Sequence, residues 1–171
     1  MHKQSYISGF LGDKRPLNAV EIATIYAALE TNLIGNNISL AFAQVIKDER
    51  IKKECIRGSV IATNHIKIFS KILEKDYLSA PTSWNISISP STESPFSDKL
   101  ISFHMSAISA FGLGRYGLSL SQCTRKDLIL SFTQTAADAA QYAKDWLDIM
   151  LDNNWLERVP EAVDRKDLVG V

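Results

Sequence analysis

The sequence predicts an all-α protein, a ferritin-like four-helix bundle in which two helical hairpins are joined by a long crossover loop. Four long segments carry apolar residues at the alternating three- and four-residue steps of helices that pack in a bundle. Short connections separate the first segment from the second and the third from the fourth, whereas residues 80–96 lie between the two pairs. The 171 residues, 46% of them hydrophobic, suffice for one domain with a buried core. An up-down-up-down bundle is the alternative.

The first hairpin is predicted to contain helices over about 16–46 and 49–78. Pro16 suits a first helical turn, because the N–H that proline lacks has no helical partner there. Asp48 is the expected N-cap of the second helix. The predicted buried seam of the first helix is Leu17, Val20, Thr24, Ala27, Thr31, Ile34, Ile38, Ala41 and Val45, and that of the second is Ile51, Cys55, Gly58, Ala62, His65, Phe69 and Ile72.

The crossover loop is predicted over 80–96, where proline, serine and threonine are frequent and no helical period continues. A helix of ~30 residues is ~45 Å long, and about 17 extended residues reach ~56 Å. The segment is therefore long enough to pass from one end of a bundle to the other. Trp84 is expected either to anchor it on the bundle or to contact another molecule, and residues 86–88 could form a short strand.

The second hairpin is predicted to contain helices over about 98–121 and 125–152. Ser97 or Asp98 is the expected cap of the third helix, and Thr124 with Asp127 resembles a capping box for the fourth. The predicted buried side of the third helix is Leu100, Phe103, Ala107, Phe111, Gly114 and Leu118. That of the fourth is Leu128, Phe132, Thr135, Ala139, Tyr142, Trp146 and Ile149.

Apolar side chains are concentrated near the end of the fourth helix, at Tyr142, Trp146, Leu147, Leu151 and Trp155. Part of this surface exceeds what a single seam can bury. Large exposed apolar patches are rare on monomers. The sequence therefore predicts self-association as a dimer or a larger assembly.

Composition argues against several classes of protein. Lys plus Arg and Asp plus Glu both number 19, so the zero net charge disfavours a nucleic-acid partner. Apolar runs stay short of the ~20 residues of a membrane span. The start of the sequence resembles no signal peptide, so synthesis in the cytoplasm is expected. Cys55 and Cys123 alone form neither a disulfide framework nor a zinc site.

The dimetal motif of ferritin-like bundles is absent from the sequence. Such bundles often bind iron or manganese through a Glu from each of two helices and a Glu-x-x-His from each of the other two. No Glu or Asp in this sequence is followed three residues later by His. We therefore predict no metal site, no cofactor and no catalytic residue.

A polar layer is predicted at the middle of the bundle, around His65. Antiparallel pairing within each hairpin, with the third helix parallel to the second, brings Thr31, Thr135 and the Gly112–Gly114 stretch to the level of His65. The structural interpretation is a core histidine with satisfied ring nitrogens that fixes helix register. The functional interpretation is a ligand or metal site, assisted by Glu30 or Asp138. An error in register would instead leave His65 exposed.

The glycines of the third helix match the dinucleotide fingerprint G-x-G-x-x-G over residues 112–117. That motif requires a preceding strand and a helix that begins at the glycines. Here the helical pattern of 100–111 continues through them. We therefore interpret the glycines as sites of close approach between helices, or as room for Phe69, Phe132 or His65.

A family resemblance is carried by the segments 17–22, 64–66, 95–98, 124–128 and 152–156, the last continuing to Pro160. Together they resemble the spore-coat-F-like family of bacilli, whose biochemical role is unknown. The resemblance covers about 17–160 and implies a ferritin-like bundle, a place in or near the spore coat, and other coat proteins as partners. Glu21 and His65 match the family's recurrent Glu and His, which makes them candidate ligand-binding residues; no catalytic residue comes with the family.

Two functional hypotheses follow from the sequence. The first is a non-enzymatic structural or interaction protein of the spore coat. The second is a degenerate ferritin-like protein that binds a metal or a small ligand at His65, with Thr31, Thr135, Gly114 and Glu21 as further candidates.

Overall fold

Four helices form a bundle of two hairpins, which confirms the predicted all-α fold. The computed structural model describes residues 14–83, 88–157, 159–165 and 168. Helix α1 (Ala19–Val45) packs against α2 (Glu49–Lys75), and α3 (Asp98–Gln122) packs against α4 (Lys126–Asp152). The hairpins meet through α1 with α3 and through α2 with α4. The described part of the chain contains no strand.

Contacts at the two ends of the bundle define the direction of each helix. At one end, the Glu21 carboxylate at the start of α1 accepts a hydrogen bond from the Arg125 N–H at the start of α4 (3.0 Å). At the other end, Arg50 at the start of α2 pairs with Asp152 at the end of α4 (2.7 Å). Helices α2 and α3 are therefore parallel, and the segment between them spans the bundle. This is the crossover topology rather than the up-down-up-down alternative.

The described residues on both sides of 84–87 in the crossover segment contact α1. Tyr26 donates a hydrogen bond to the carbonyl of Ser79. Gln44, near the other end of α1, donates to the carbonyl of Ser89 (2.8 Å). The predictions for Trp84 and for a strand at 86–88 fall on or include residues outside the described part of the chain.

The structure moves two of the predicted helix limits and replaces one predicted cap. Helix α1 begins at Ala19 rather than at Pro16, because Asn18 and Glu21 form a capping box. Helix α2 ends at Lys75, before Tyr77, whose φ of 58° is incompatible with a right-handed helix. Thr124 does not cap α4: Arg125 is the N-cap residue and makes no side-chain cap bond.

The core consists of two apolar clusters, one toward each end of the bundle. The first contains Ile25, Leu29, Phe69, Leu73, Leu128 and Phe132; the second contains Ile46, Ile51, Ile101, Met105, Trp146 and Ile149. Trp146 is fully buried and Tyr142 is 8% exposed. The aromatic residues of α4 that were predicted to mediate self-association therefore belong to the core, and only Leu147 and Leu151 of this helix end are exposed large apolar residues.

Helix α3 is rotated relative to the prediction. Its buried side is Ile101, Ser102, Met105, Ser109, Tyr116 and Ser119. The predicted seam faces outward: Leu100, Phe103, Phe111 and Leu118 are 51%, 57%, 64% and 51% exposed. We call the exposed small and apolar positions the outer face of α3: Leu100, Phe103, Ala107, Ala110, Phe111, Gly114, Gly117 and Leu118.

Helix α1 shows a smaller rotation of the same kind. Val20 and Ile34, which the seam placed inside, are 53% and 60% exposed. Glu21, Asn32 and Ser39 are buried in their place. Both rotations bury polar side chains where the sequence predicted apolar ones. Buried polar groups generally have hydrogen-bond partners within the protein.

Candidate functional site

His65 lies in the middle of the bundle and is 2% exposed. Its Nδ1 is 2.8 Å from the Tyr116 hydroxyl, and its Nε2 is 3.3 Å from Oδ2 of Asp138. Burial lowers the pKa of His65, and the hydrogen bond and charge of Asp138 oppose this shift only in part. His65 is therefore an uncharged core residue near pH 7, with both ring nitrogens occupied.

The available donors and acceptors determine the direction of each hydrogen bond in the polar layer around His65. Asn32 Nδ2 donates to the Ala28 carbonyl (2.8 Å) and to the Tyr116 hydroxyl oxygen (2.7 Å). The Asp138 carboxylate can only accept, which assigns the ring proton of His65 to Nε2. The Tyr116 hydroxyl then donates to Nδ1. Burial raises the pKa of Tyr116 to about 12, so this hydroxyl keeps its proton.

A cavity of about 310 Å³ lies beside this layer. Asn32, His65 and Tyr116 contribute to its wall, and isoleucine, alanine, glycine and other uncharged residues from all four helices supply the rest. We call it the mid-bundle cavity. Ile34 and Phe111 line it and are more than half exposed, so it opens between α1 and α3.

The structure brings some of the predicted site residues together and separates others. Thr31 and His65 line the mid-bundle cavity, and the Thr31 hydroxyl donates to the Ala27 carbonyl (2.8 Å). Thr135 is fully buried and donates to the Ser131 carbonyl (3.0 Å). The placement of Gly114 in this layer was wrong, because it lies on the outer face of α3. Tyr116, two residues further on, occupies the predicted level instead.

The glycine stretch 112–117 lies inside the continuous helix α3. The backbone N–H groups there are engaged within the helix, so the dinucleotide fingerprint has no helix N-terminus to offer a phosphate. The sequence analysis missed Asn32 and Tyr116. The spacings of four and seven residues between Met105, Ser109 and Tyr116 were the available signal for the buried side of α3.

Glu21 lies at one end of the bundle, away from the mid-bundle cavity. Both carboxylate oxygens pair with the guanidinium of Arg15 at 2.8 and 2.7 Å. The backbone N–H groups of Asn18, Thr124 and Arg125 also donate to this carboxylate. Glu21 therefore joins the start of α1 to the turn between α3 and α4.

Arg125 extends this end cluster and is 6% exposed. Its guanidinium bonds to both oxygens of Asp127 (2.8 and 2.9 Å) and to Asp76 (3.1 Å). Asp76 also accepts from the Leu17 N–H (2.7 Å). The ion pairs of the end cluster thus connect the start of α1, the end of α2 and the start of α4.

The mid-bundle layer does not fit the dimetal centre of ferritin-like proteins. His65 has one carboxylate neighbour, Asp138, whose side chain is 63% exposed. Within the described residues, no group of three or more His, Cys, Asp or Glu side chains is placed to hold a metal ion. Nor does any described helix have the length and apolar character needed to span a membrane.

Tyr116→Phe is expected to lower the free energy of unfolding by about 1–2 kcal/mol, because His65 Nδ1 and Asn32 Nδ2 lose a buried partner while the ring remains packed. Chemical denaturation at neutral pH measures this. Tyr77→Phe is the matched control, since Tyr77 is 98% exposed. Equal, negligible effects of both changes would contradict the hydrogen-bonded layer.

The sequence profile of a family described as "Protein of unknown function (DUF3231)" matches residues 5–168. No curated protein matches the chain. Its fold is similar to that of a "putative spore coat protein" from Bacillus halodurans C-125, with 22% identity, a TM-score of 0.78, and coverage of 88% of this chain and 98% of that one.

A second similar structure is a two-domain protein from Anabaena variabilis ATCC 29413 that contains DJ-1/ThiJ/PfpI-like and ferritin-like domains. It has 12% identity and a TM-score of 0.64, with coverage of 84% of this chain and 40% of that one. At these identities the likenesses concern the fold, and they confirm the ferritin-like bundle.

Proposed function

We propose, from the premise that this chain belongs to the DUF3231 family, that it is a non-enzymatic structural or interaction protein of the bacterial spore coat. The likeness to the Bacillus halodurans protein, whose name describes a putative spore coat protein, supports the coat association. The occupied ring nitrogens of His65 support a role without catalysis. We further propose that the chain self-associates, and the outer face of α3 is the observation that carries this part.

The outer face of α3 is large for a surface left in water. Its four large side chains are each more than half exposed and together expose roughly 400–500 Å², comparable to the largest apolar patches of ordinary monomers. Two copies pressed together would bury about 1,000 Å² from these side chains alone. With Ile34 and the helix backbone added, the area reaches the ~1,200 Å² at which stable interfaces begin.

Within the described part of the chain, nothing packs against the glycines of this face. A Cβ atom added at Gly114 or Gly117 would meet nothing within 4 Å. Glycine inside a helix costs about 0.5–1 kcal/mol relative to alanine. A closely approaching second helix would use the space that these glycines leave.

An antiparallel pair of α3 helices is the arrangement that fits this face. When two copies cross at the middle of α3, Leu100 lies opposite Leu118 of the second copy. Phe111 lies opposite Ala107, and Phe103 lies near Gly114, so large residues face small ones. The same patch serves both copies, as a two-fold interface requires.

Leu118→Asp is expected to weaken self-association by at least about 100-fold, because a charge without a partner would be buried twice in the dimer. Sedimentation equilibrium over a range of concentrations measures the dissociation constant. Leu130→Asp is the matched control, since Leu130 lies on α4 and is 49% exposed against 51% for Leu118. A monomeric wild type at about 100 µM, or equal weakening by both variants, would refute the interface.

Spore fractionation tests the coat association separately. In spores of the producing organism, an antibody against this chain should detect it in the extracted coat. Detection only in the cytosol of vegetative cells would exclude a coat protein, whatever the oligomeric state.

A further inference from the structure

We propose that the mid-bundle cavity binds a small uncharged molecule that has an aromatic or alicyclic body and one hydrogen-bond donor. This inference rests on the geometry of the cavity in a single chain and does not require self-association. The cavity volume of about 310 Å³ is roughly twice that of an engineered ~150 Å³ cavity that accommodates benzene. A body of about two fused six-membered rings matches this size.

The charge of the molecule follows from the wall of the cavity. None of its described lining residues is Lys, Arg, Asp or Glu. His65 is uncharged near pH 7, and burial raises the pKa of both Tyr116 and Tyr142. An ion entering the cavity would lose its hydration without gaining a countercharge, which is strongly unfavourable. The wall therefore selects neutral molecules.

The polarity of the molecule follows from Asn32, which is 8% exposed. The Ala28 carbonyl can only accept a hydrogen bond, so the amide atom facing it is Nδ2, and Oδ1 is the remaining atom. No described residue donates to this Oδ1, although a carbonyl oxygen can accept two bonds. A hydroxyl or N–H group on the bound molecule would donate to this oxygen.

The remaining walls determine how a molecule enters the mid-bundle cavity and why its body should be apolar. Ile34 and Phe111 at the opening are exposed in the unpaired chain, so entry into a single copy does not require the core to unfold. Ile38, Ile61 and Ile108 make the interior apolar. Protein interiors retain few voids larger than a water molecule, and an apolar molecule would gain the contacts that such a void lacks.

Naphthalene and two of its derivatives test the proposal by isothermal titration calorimetry on the full chain. We expect 2-naphthol to bind with a dissociation constant on the order of 10 µM. Naphthalene lacks the donor and should bind about three- to tenfold more weakly. The anion 2-naphthoate has a similar shape, and its binding should be undetectable.

A pair of neighbouring alanines in α4 provides the matched variants. Ala139 lines the mid-bundle cavity, whereas Ala140 is exposed. Ala139→Leu should reduce 2-naphthol affinity at least tenfold by filling the cavity, and Ala140→Leu should leave it unchanged. Ala62→Leu is the second filling variant, on α2, in case Ala139→Leu does not fold.

A crystal of the wild type grown with 2-naphthol locates the site directly. Density for the two rings in the mid-bundle cavity, with the hydroxyl near Asn32 Oδ1, would support the proposal. Ordered water alone in the cavity, unchanged affinity in the filling variants, or equal binding of 2-naphthoate would overturn it.

Discussion

Glu21→Gln is expected to lower the free energy of unfolding by about 3 kcal/mol at neutral pH. Burial alone would raise the pKa of Glu21. Hydrogen bonds from Arg15 and from the backbone of Asn18, Thr124 and Arg125 outweigh burial and lower the pKa from 4.5 to about 2. Glutamine keeps the shape of the side chain but removes the charge that these donors stabilise.

The pH dependence of this loss has a defined sign. A carboxyl group whose pKa is lower in the folded chain stabilises the fold above its unfolded pKa. That stabilisation is lost as the pH falls through the folded value. The difference between wild type and Glu21→Gln should therefore be constant above about pH 5 and shrink between pH 4.5 and about 2.

Urea denaturation at a series of pH values measures this difference. Asp127, whose pKa is also lowered to about 2, titrates in both proteins and largely cancels. Glu30→Gln is the control in the same helix, because Glu30 is exposed. A loss that is the same at low and neutral pH would show that the charge of Glu21 is not the cause.

Gly58→Ala is expected to destabilise the protein by about 2 kcal/mol, although alanine normally favours a helix by about 1 kcal/mol. A Cβ atom at Gly58 would lie 2.1 Å from the Tyr142 hydroxyl oxygen and 2.6 Å from Cζ. Tyr142 is held by an edge-to-face contact with Trp146 and by the Arg57 guanidinium, 5.1 Å from its ring centre. The ring must therefore be displaced.

Gly35→Ala is the matched control, since a Cβ atom there would meet nothing within 4 Å. We expect it to stabilise the fold by up to about 1 kcal/mol. Thermal and chemical denaturation of the two variants compare one chemical change in two environments. Stabilisation by both would mean that Tyr142 is not fixed against α2.

The topology of the bundle could be predicted because periodicity and loop length are local properties of the sequence. The rotation of α3 about its own axis could not be predicted. The seam from Leu100 to Leu118 has the same pattern whether it packs within the chain or against another surface. The true buried side appears polar, yet the hydroxyls of Ser109 and Ser119 donate to carbonyls of their own helix and so enter the core without an orphaned group.

The candidate site was predictable only in part for a related reason. His65 stood out as a lone polar residue in an apolar seam. Tyr116 lay among glycines that matched a different motif, and Asn32 fell one position away from the predicted seam of α1. Both became recognisable only when the helix rotations brought their side chains to His65.

The opening of the mid-bundle cavity has a kinetic consequence. Phe111 belongs both to this opening and to the outer face of α3, so a second copy seated there would close the entrance. Release of a bound molecule would then be limited by dissociation of the two copies. By thermodynamic linkage, a molecule that binds more tightly in the paired state would strengthen pairing by the same factor. Measuring the pairing of the chain would then also measure the occupancy of the cavity.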